Sequence, residues 1–219
     1  MKTFIVQIAT SEHHSFAEEI CELIETSAKQ RGTGIAKREP EYIRNKMSEN
    51  KAIIALTPKK ELVGFCYIET WSDKKYVANS GLIVKHEYRS TGAATKIKKK
   101  AFEHSQKMYP NAKLFGLTTS LPVMKINSEL GYIPVTYDNL TTDEAFWNGC
   151  KSCVNYAVLM SKNKSNCICT AMLYDPKRKS EKRWNFIKKS KLYERFMRIK
   201  KSRMLKKLEK LKNESSISV

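Results

Sequence analysis

The chain has 219 residues, 41% of them hydrophobic, enough for one substantial α/β core with an appendage and too few for two such cores. Its net charge of +19 is spread unevenly, because residues 176–219 carry 17 Lys/Arg against four Glu, a net +13. No run of about 18 or more apolar residues exists, which excludes a membrane-spanning helix, and MKTFIVQIATSEHH turns polar too soon for a signal peptide, so a cytoplasmic location is expected.

In chain order, helical segments are predicted near 11–30 and 40–48, with a flexible Gly32-Thr33-Gly34 between them. Ala52–Thr57 and Glu61–Thr70 read as strands joined by Pro58-Lys59-Lys60, and Tyr76–Val84 reads as a third antiparallel strand. That strand runs into Arg89-Ser90-Thr91-Gly92-Ala93-Ala94, which opens a helix ending near Pro110. Further on, Ala112–Thr119 is a predicted strand, Pro122–Leu130 a short helix and Gly131–Thr136 a strand.

The turn at 89–94 has the outline of a pyrophosphate cradle. A helix N-terminus presents unpaired N–H groups and a partial positive charge, and a glycine there lets a phosphate reach the main chain. Arg89 adds a fixed cation. By itself the R-x-x-G-x-A pattern also fits any basic strand-to-helix turn.

Six cysteines without a secretory context argue against a disulfide framework. Cys21 and Cys66 fall in apolar patterns and read as small buried hydrophobes. Cys150, Cys153, Cys167 and Cys169 stand at the two ends of an expected hairpin, VNYAVLM…NCICTAML, where four thiolates would close a structural zinc site. Four packed or redox-active thiols are the alternative.

From residue 176 on, Trp184, Ile187, Tyr193, Phe196, Met197, Met204, Leu208 and Leu211 recur mostly at spacings of three or four, the pattern of a basic amphipathic helical tail. Such a tail packs on the domain or a neighbouring subunit, binds nucleic acid or an anionic membrane surface, or draws in a polyanionic ligand. Nucleic acid is not the favoured partner. The expected division is therefore a folded domain over 1–175 and a tail over 176–219.

The order of elements resembles the GNAT acyltransferases, an α/β fold with a mixed central sheet flanked by helices. The family motif Q/R-x-x-G-x-G/A falls on Arg89, Gly92 and Ala94, and the later N…GF/GY feature on Asn127, Gly131 and Tyr132. RGTGIAKR (31–38), FCYIETW (65–71), VANSGLIV (77–84), KINSELGY (125–132) and DEAFWNGCKSCVNY (143–156) are similar to the GNAT-type N-acetylglutamate and N-succinylglutamate synthases of arginine biosynthesis. The resemblance implies an enzyme that moves an acetyl or succinyl group from acetyl-CoA or succinyl-CoA to the α-amino group of an amino acid, glutamate first. It leaves room for a homodimer, for a macromolecular acceptor docked by the tail, and for a non-catalytic acyl-CoA-binding module.

Carried over residue by residue, the backbone of Leu82, Ile83 and Val84 would pair with the pantetheine arm, and the amides of Ser90, Thr91, Gly92, Ala93 and Ala94 would hold the pyrophosphate. Glu69 would accept the ammonium proton, although an outward carboxylate of an alternating strand has the same sequence pattern. Where many relatives have a tyrosine that protonates the departing thiolate, this chain has Asn127, which can still donate a hydrogen bond to the cofactor. Tyr132, Tyr137 and Tyr156 are candidate substitutes. Arg31 and Arg38 are candidates for the acceptor's carboxylates, since a guanidinium pairs with them bidentately. Asn79 and Ser80 are neutral candidates for its α-carboxylate, and Lys125 for a succinyl carboxylate.

Overall fold

A computed structural model describes residues 3–31 and 38–178, the side chains of Gln30 and Arg31 excepted. The chain divides into Met1–Lys177 and Arg178–Val219. The amphipathic tail expected over 176–219 lies, from residue 179 on, outside the described residues, as does Gly32-Thr33-Gly34.

A seven-stranded mixed sheet runs in the order β1 (Ile5–Ile8), β2 (Ala52–Leu56), β3 (Leu62–Trp71), β4 (Tyr76–Val84), β5 (Lys113–Thr118), β7 (Thr170–Tyr174), β6 (Ile133–Pro134). All neighbours are antiparallel except β4 and β5. The near-continuous apolar runs AIIAL and LVGFCYI follow from coverage on both faces, which removes the need for polar alternation.

On one face lie α1 (Ala17–Arg31) and α2 (Pro40–Ser48), whose Ile20, Ile24, Ile43 and Met47 pack on Ile54, Phe65, Tyr67 and Ile83. Pro40 starts α2, where its missing N–H costs nothing. On the other face lies α3 (Ala93–Met108), the crossover between the two parallel strands. Its buried stripe is Ala93, Ile97, Lys98, Ala101, Phe102 and Ser105. Ile97 alone, buried against Val63, Cys66 and Val84, contributes about 1.5–3 kcal/mol. Helix and sheet meet so closely that a Cβ on Gly64 would stand 2.6 Å from the Ile83 carbonyl and 2.8 Å from Ile97 Cδ1.

Two local expectations are corrected. The strand expected over 131–136 shrinks to Ile133–Pro134, because the chain then turns through Tyr137–Asn139 to bury Tyr137 and Leu140. The hairpin expected between the cysteine pairs is absent: Tyr156–Ser161 is helix α6, with Tyr156 and Leu159, one turn apart, on the same apolar cluster. β7 instead pairs with β5 and β6. The cluster also holds Trp147 of α5 (Glu144–Asn148), whose N-cap Asp143 accepts from the Ala145 and Ser72 amides. The elements not foreseen are helix α5 and strand β1, the latter paired with β2 from Ile5↔Leu56 to Ile8↔Ile53.

Candidate active site

β4 and β5 are hydrogen-bonded only from Tyr76–Ala78 to Lys113–Phe115. Beyond that they part, because β5 turns its other edge to β7 through Thr118 while β4 stays with β3 as far as Val84. A wedge opens in the sheet, and a cavity of about 280 Å³ fills it, lined by Asn79, Ser80, Gly81 and Leu82 on one side and Gly116, Leu117 and Thr118 on the other. Backbone polar groups on these edges face a cavity instead of a strand, the arrangement that lets an extended ligand add itself to the sheet. Of the three β4 residues expected here, Leu82 lines the cavity, whereas the side chains of Ile83 and Val84 belong to the core.

Opposite Cys66 the register slips, since Phe65 pairs with Ile83 but Tyr67 with Ser80. Gly81 and Leu82 therefore form a bulge, and only glycine fits there: φ is +63°, and a Cβ would come within 2.3 Å of Tyr67 Cε1. Gly92 has the same freedom for a different reason. It caps α3 with φ +84°, a Cβ there would meet nothing within 4 Å, and Lys96 makes the first described helical bond back to its carbonyl. The Ala93, Ala94 and Thr95 amides that follow have no partner within the helix, and Arg89, Ser90 and Thr91 beside them are exposed.

Residues expected at the chemistry divide between the two faces of the sheet. On the α1/α2 face, Glu69 of β3 is only 7% exposed and lines the cavity, not an outward carboxylate. It accepts the Tyr42 hydroxyl and lies 3.7 Å from the Arg38 guanidinium, while Arg38 Nε donates to the Tyr67 hydroxyl at 2.9 Å. The guanidinium also stands over the Tyr42 and Tyr67 rings, at 5.1 and 5.8 Å. Burial first, and Glu69 second, raise both tyrosines above their ordinary range, so both hydroxyls keep their protons, Tyr42 donating to Glu69 and Tyr67 accepting from Arg38. Ser80 shares this face opposite Tyr67. The Arg31 side chain lies outside what the structure describes.

On the α3 face the side chain of Asn79 is already engaged: its Nδ2 donates to Ser105 Oγ at 2.7 Å and its Oδ1 accepts from Tyr132. It stands across the sheet from Arg38, so the two do not form one carboxylate pocket. Asn127 of α4 (Leu121–Glu129) is 1% exposed and lines the cavity. Its amide donates to Met172 Sδ at 3.7 Å, and its Oδ1 is one of two buried polar side-chain atoms without a partner among the described residues. The other is Trp71 Nε1, and Trp71 lines the same cavity. Lys125 is exposed on α4. Tyr132, Tyr137 and Tyr156 do not line the wedge.

What the sequence did not suggest is Lys98. It reads as one of a run of solvated lysines in KIKKK, yet it falls on the buried stripe of α3, is 2% exposed and lines the cavity. The signal was its helical spacing: Lys98 sits between Ala94 and Ala101–Phe102 on the apolar side.

The expected zinc site is not formed. Cys150, Cys153, Cys167 and Cys169 are free and line one small cavity of about 30 Å³ beside the wedge. Among the described residues, however, no three His, Cys, Asp or Glu side chains are placed to hold a metal. Without the hairpin the thiols turn to other partners, Cys153 Sγ accepting from the Asn155 amide and Cys167 donating to the Asn155 carbonyl. Burial, then the other three sulfurs, push Cys169 up to about 12.

The fold is that of the GNAT acyltransferases. Three solved structures similar to this chain carry the assignment. A GNAT-family acetyltransferase from Staphylococcus aureus matches with TM-score 0.60 and 14% identity over 80% of this chain and 100% of its own. The N-acetylglutamate synthase of Neisseria gonorrhoeae, complexed with coenzyme A and N-acetyl-glutamate, matches with TM-score 0.57 and 17% identity over 81% of this chain, which spans 36% of that one. A Mycobacterium tuberculosis protein in complex with CoA matches with TM-score 0.56 and 15% identity, over 78% of this chain and 98% of its own. No family profile and no curated sequence matches the chain. Among the described residues no helix is long and apolar enough to cross a membrane.

Proposed function

We propose that the protein is an acyl-CoA-dependent N-acyltransferase that moves an acetyl or succinyl group directly to the amino group of a small amino acid, with glutamate the first acceptor to test. The observation that carries the reading is the wedge itself. It joins an unpaired β4 edge to a glycine-led helix N-terminus with open space at Gly92, where a pyrophosphate fits. An extended arm bearing amide N–H and C=O groups, as pantetheine does, supplies the donor that Asn127 Oδ1 lacks.

Direct transfer needs a neutral amine, a donor for the thioester oxygen and a proton for the leaving sulfur. Glu69 takes the ammonium proton, directly or through water, while Tyr42 and Arg38 hold its carboxylate in place. The β4 backbone from Asn79 to Leu82 polarises the thioester carbonyl. Arg38 marks the acceptor side with a positive charge suited to a carboxylate, and Trp71 Nε1 offers a further donor there. Glutamate is supported by the Neisseria synthase, which was solved with N-acetyl-glutamate.

A screen of acetyl-CoA and succinyl-CoA against the amino acids, read by release of free CoA from the full chain, tests the reading. Turnover on an amino acid, greatest with glutamate, is the expected result. Acyl-CoA binding without turnover on any of them would replace it with a non-catalytic module.

A further inference from the structure

Lys98 is the one buried ammonium on the α3 side of the wedge among the described residues. Its Nζ has a single long hydrogen bond, 3.4 Å to the Asn79 carbonyl, and stands 5.4 Å over the Tyr132 ring. It makes no ion pair with any described residue. The groups beside it are uncharged: Cys66 of β3 and Tyr132, both raised by burial and hence neutral, and Asn79 of β4. The charged residues of the same cavity, Glu69 and Arg38, enter it from the opposite face of the sheet and pair with each other. A buried charge of this kind lacks its counter-charge, and the cavity is the direction from which one can arrive.

The position of Lys98 says which part of a ligand that is. It lies six residues beyond Gly92, about 9 Å down α3 at 1.5 Å per residue, and against Asn79, the first residue past the point where β4 and β5 close. A CoA thioester anchored by its pyrophosphate at Gly92 and laid along the β4 edge brings its sulfur end toward that closed end. Resting on the acyl-CoA reading above, we propose that Lys98 is the cation that faces the sulfur of CoA and donates the proton to the leaving thiolate, the role for which Asn127 has no acidic hydrogen.

The step balances. The acceptor nitrogen forms the C–N bond with the thioester carbon, and collapse of the adduct breaks C–S with the electron pair left on sulfur. The Lys98 ammonium passes a proton to that sulfur, giving free CoA thiol and a neutral amine. The acceptor ammonium loses two protons, one before attack and one from the nitrogen of the adduct. Both leave through Glu69 to solvent, and one returns to recharge Lys98, so a single proton is released per turnover. Burial pushes Lys98 down to about 8, so it is an ammonium at neutral pH and still acidic enough to protonate an alkyl thiolate, whose ordinary range is about 8.5.

The test needs no acceptor. CoA is bound to the full chain and its thiolate absorbance followed against pH, with the desulfo-CoA complex as blank, for the natural protein and for Lys98→Met, which keeps an unbranched side chain one atom shorter and removes the buried charge. The thiol of bound CoA should titrate about one pH unit lower in the natural protein than in the variant, a tenfold change in its acid constant, while desulfo-CoA binds both alike. CoA bound by both with the same thiol titration overturns the proposal. So does a variant that alters only the preference for succinyl-CoA over acetyl-CoA, since Lys98 would then read an acyl carboxylate. If the natural protein binds no CoA at all, the acyl-CoA reading falls as well.

Discussion

Two basic side chains line the same cavity from opposite faces of the sheet, and their surroundings differ. Arg38 meets Tyr67, Glu69 and the faces of two aromatic rings, so its charge is shared with Glu69 and its position fixed. Lys98 meets one distant carbonyl and a ring, so its charge is left for a ligand. The contrast follows from what each face contributes: β3 and α2 bring Glu69 and Tyr42 to the first, whereas α3 and β4 bring Lys98 with the uncharged Ser105 and Asn79 to the second. One side of the wedge is prepared to hold a carboxylate base and an acceptor, the other to meet a charge that develops during the reaction.

Removing the carboxylate puts the largest strain on this contrast. Glu69→Gln should cut turnover by on the order of a hundred- to a thousand-fold with acyl-CoA affinity unchanged, read by CoA release and calorimetry. Gln can still accept from Tyr42, so retained turnover would reduce Glu69 to a prop for Arg38 and Tyr42.

The second test is a stability measurement. Lys98 has its folded value pushed down to about 8 from the ordinary 10.5 by burial. Between those values the unfolded chain binds more protons than the folded one, so stability rises with pH across that window and the penalty of the buried ammonium is complete below it. Lys98→Met should therefore be more stable than the natural protein by about 3 kcal/mol at pH 7, an advantage that shrinks through pH 8 and above and is gone by about pH 10.5. Urea unfolding at three pH values measures it, and equal stabilities throughout would show that the ammonium is not held apart from a counter-charge.

A smaller effect is expected at Arg38. Arg38→Lys keeps the charge but loses the Nε bond to Tyr67 and the stacking on both rings, so the acceptor KM should rise about tenfold with the donor KM unchanged. Equal changes in both would mean that the substitution distorts the wedge rather than the acceptor side.

β4, the turn and α3 were legible in the sequence because local chemistry determines them: a β-rich run, then a glycine that tolerates φ +84°, then a helix former. Glu69 was legible as a position on β3, though only packing shows that it faces inward. Short apolar runs carry no such certainty. VNYAVLM suits a strand or a helix equally by composition, and the cluster around Trp147 selects the helix, which removes the geometry on which the zinc expectation rested. Lys98 was hidden by its charged neighbours in KIKKK, and Gly81 by the fact that a bulge is defined by the partner strand. The wedge lies beyond any local pattern, since it exists only because β5 pairs with β7 where it leaves β4.

The central claim is that an acyl-CoA lies in this wedge with its pyrophosphate at Gly92. It is tested most directly by calorimetric titration of acetyl-CoA into the natural protein and into Gly92→Glu. A Cβ at this position meets nothing within 4 Å, so the substitution costs the fold only the backbone strain of about 1–2 kcal/mol at φ +84°, while placing a carboxylate where the phosphates belong. Binding by the natural protein, weakened at least about tenfold in a variant that still unfolds cooperatively, is the predicted result. No binding by the natural protein, or equal affinity in the two, would contradict it.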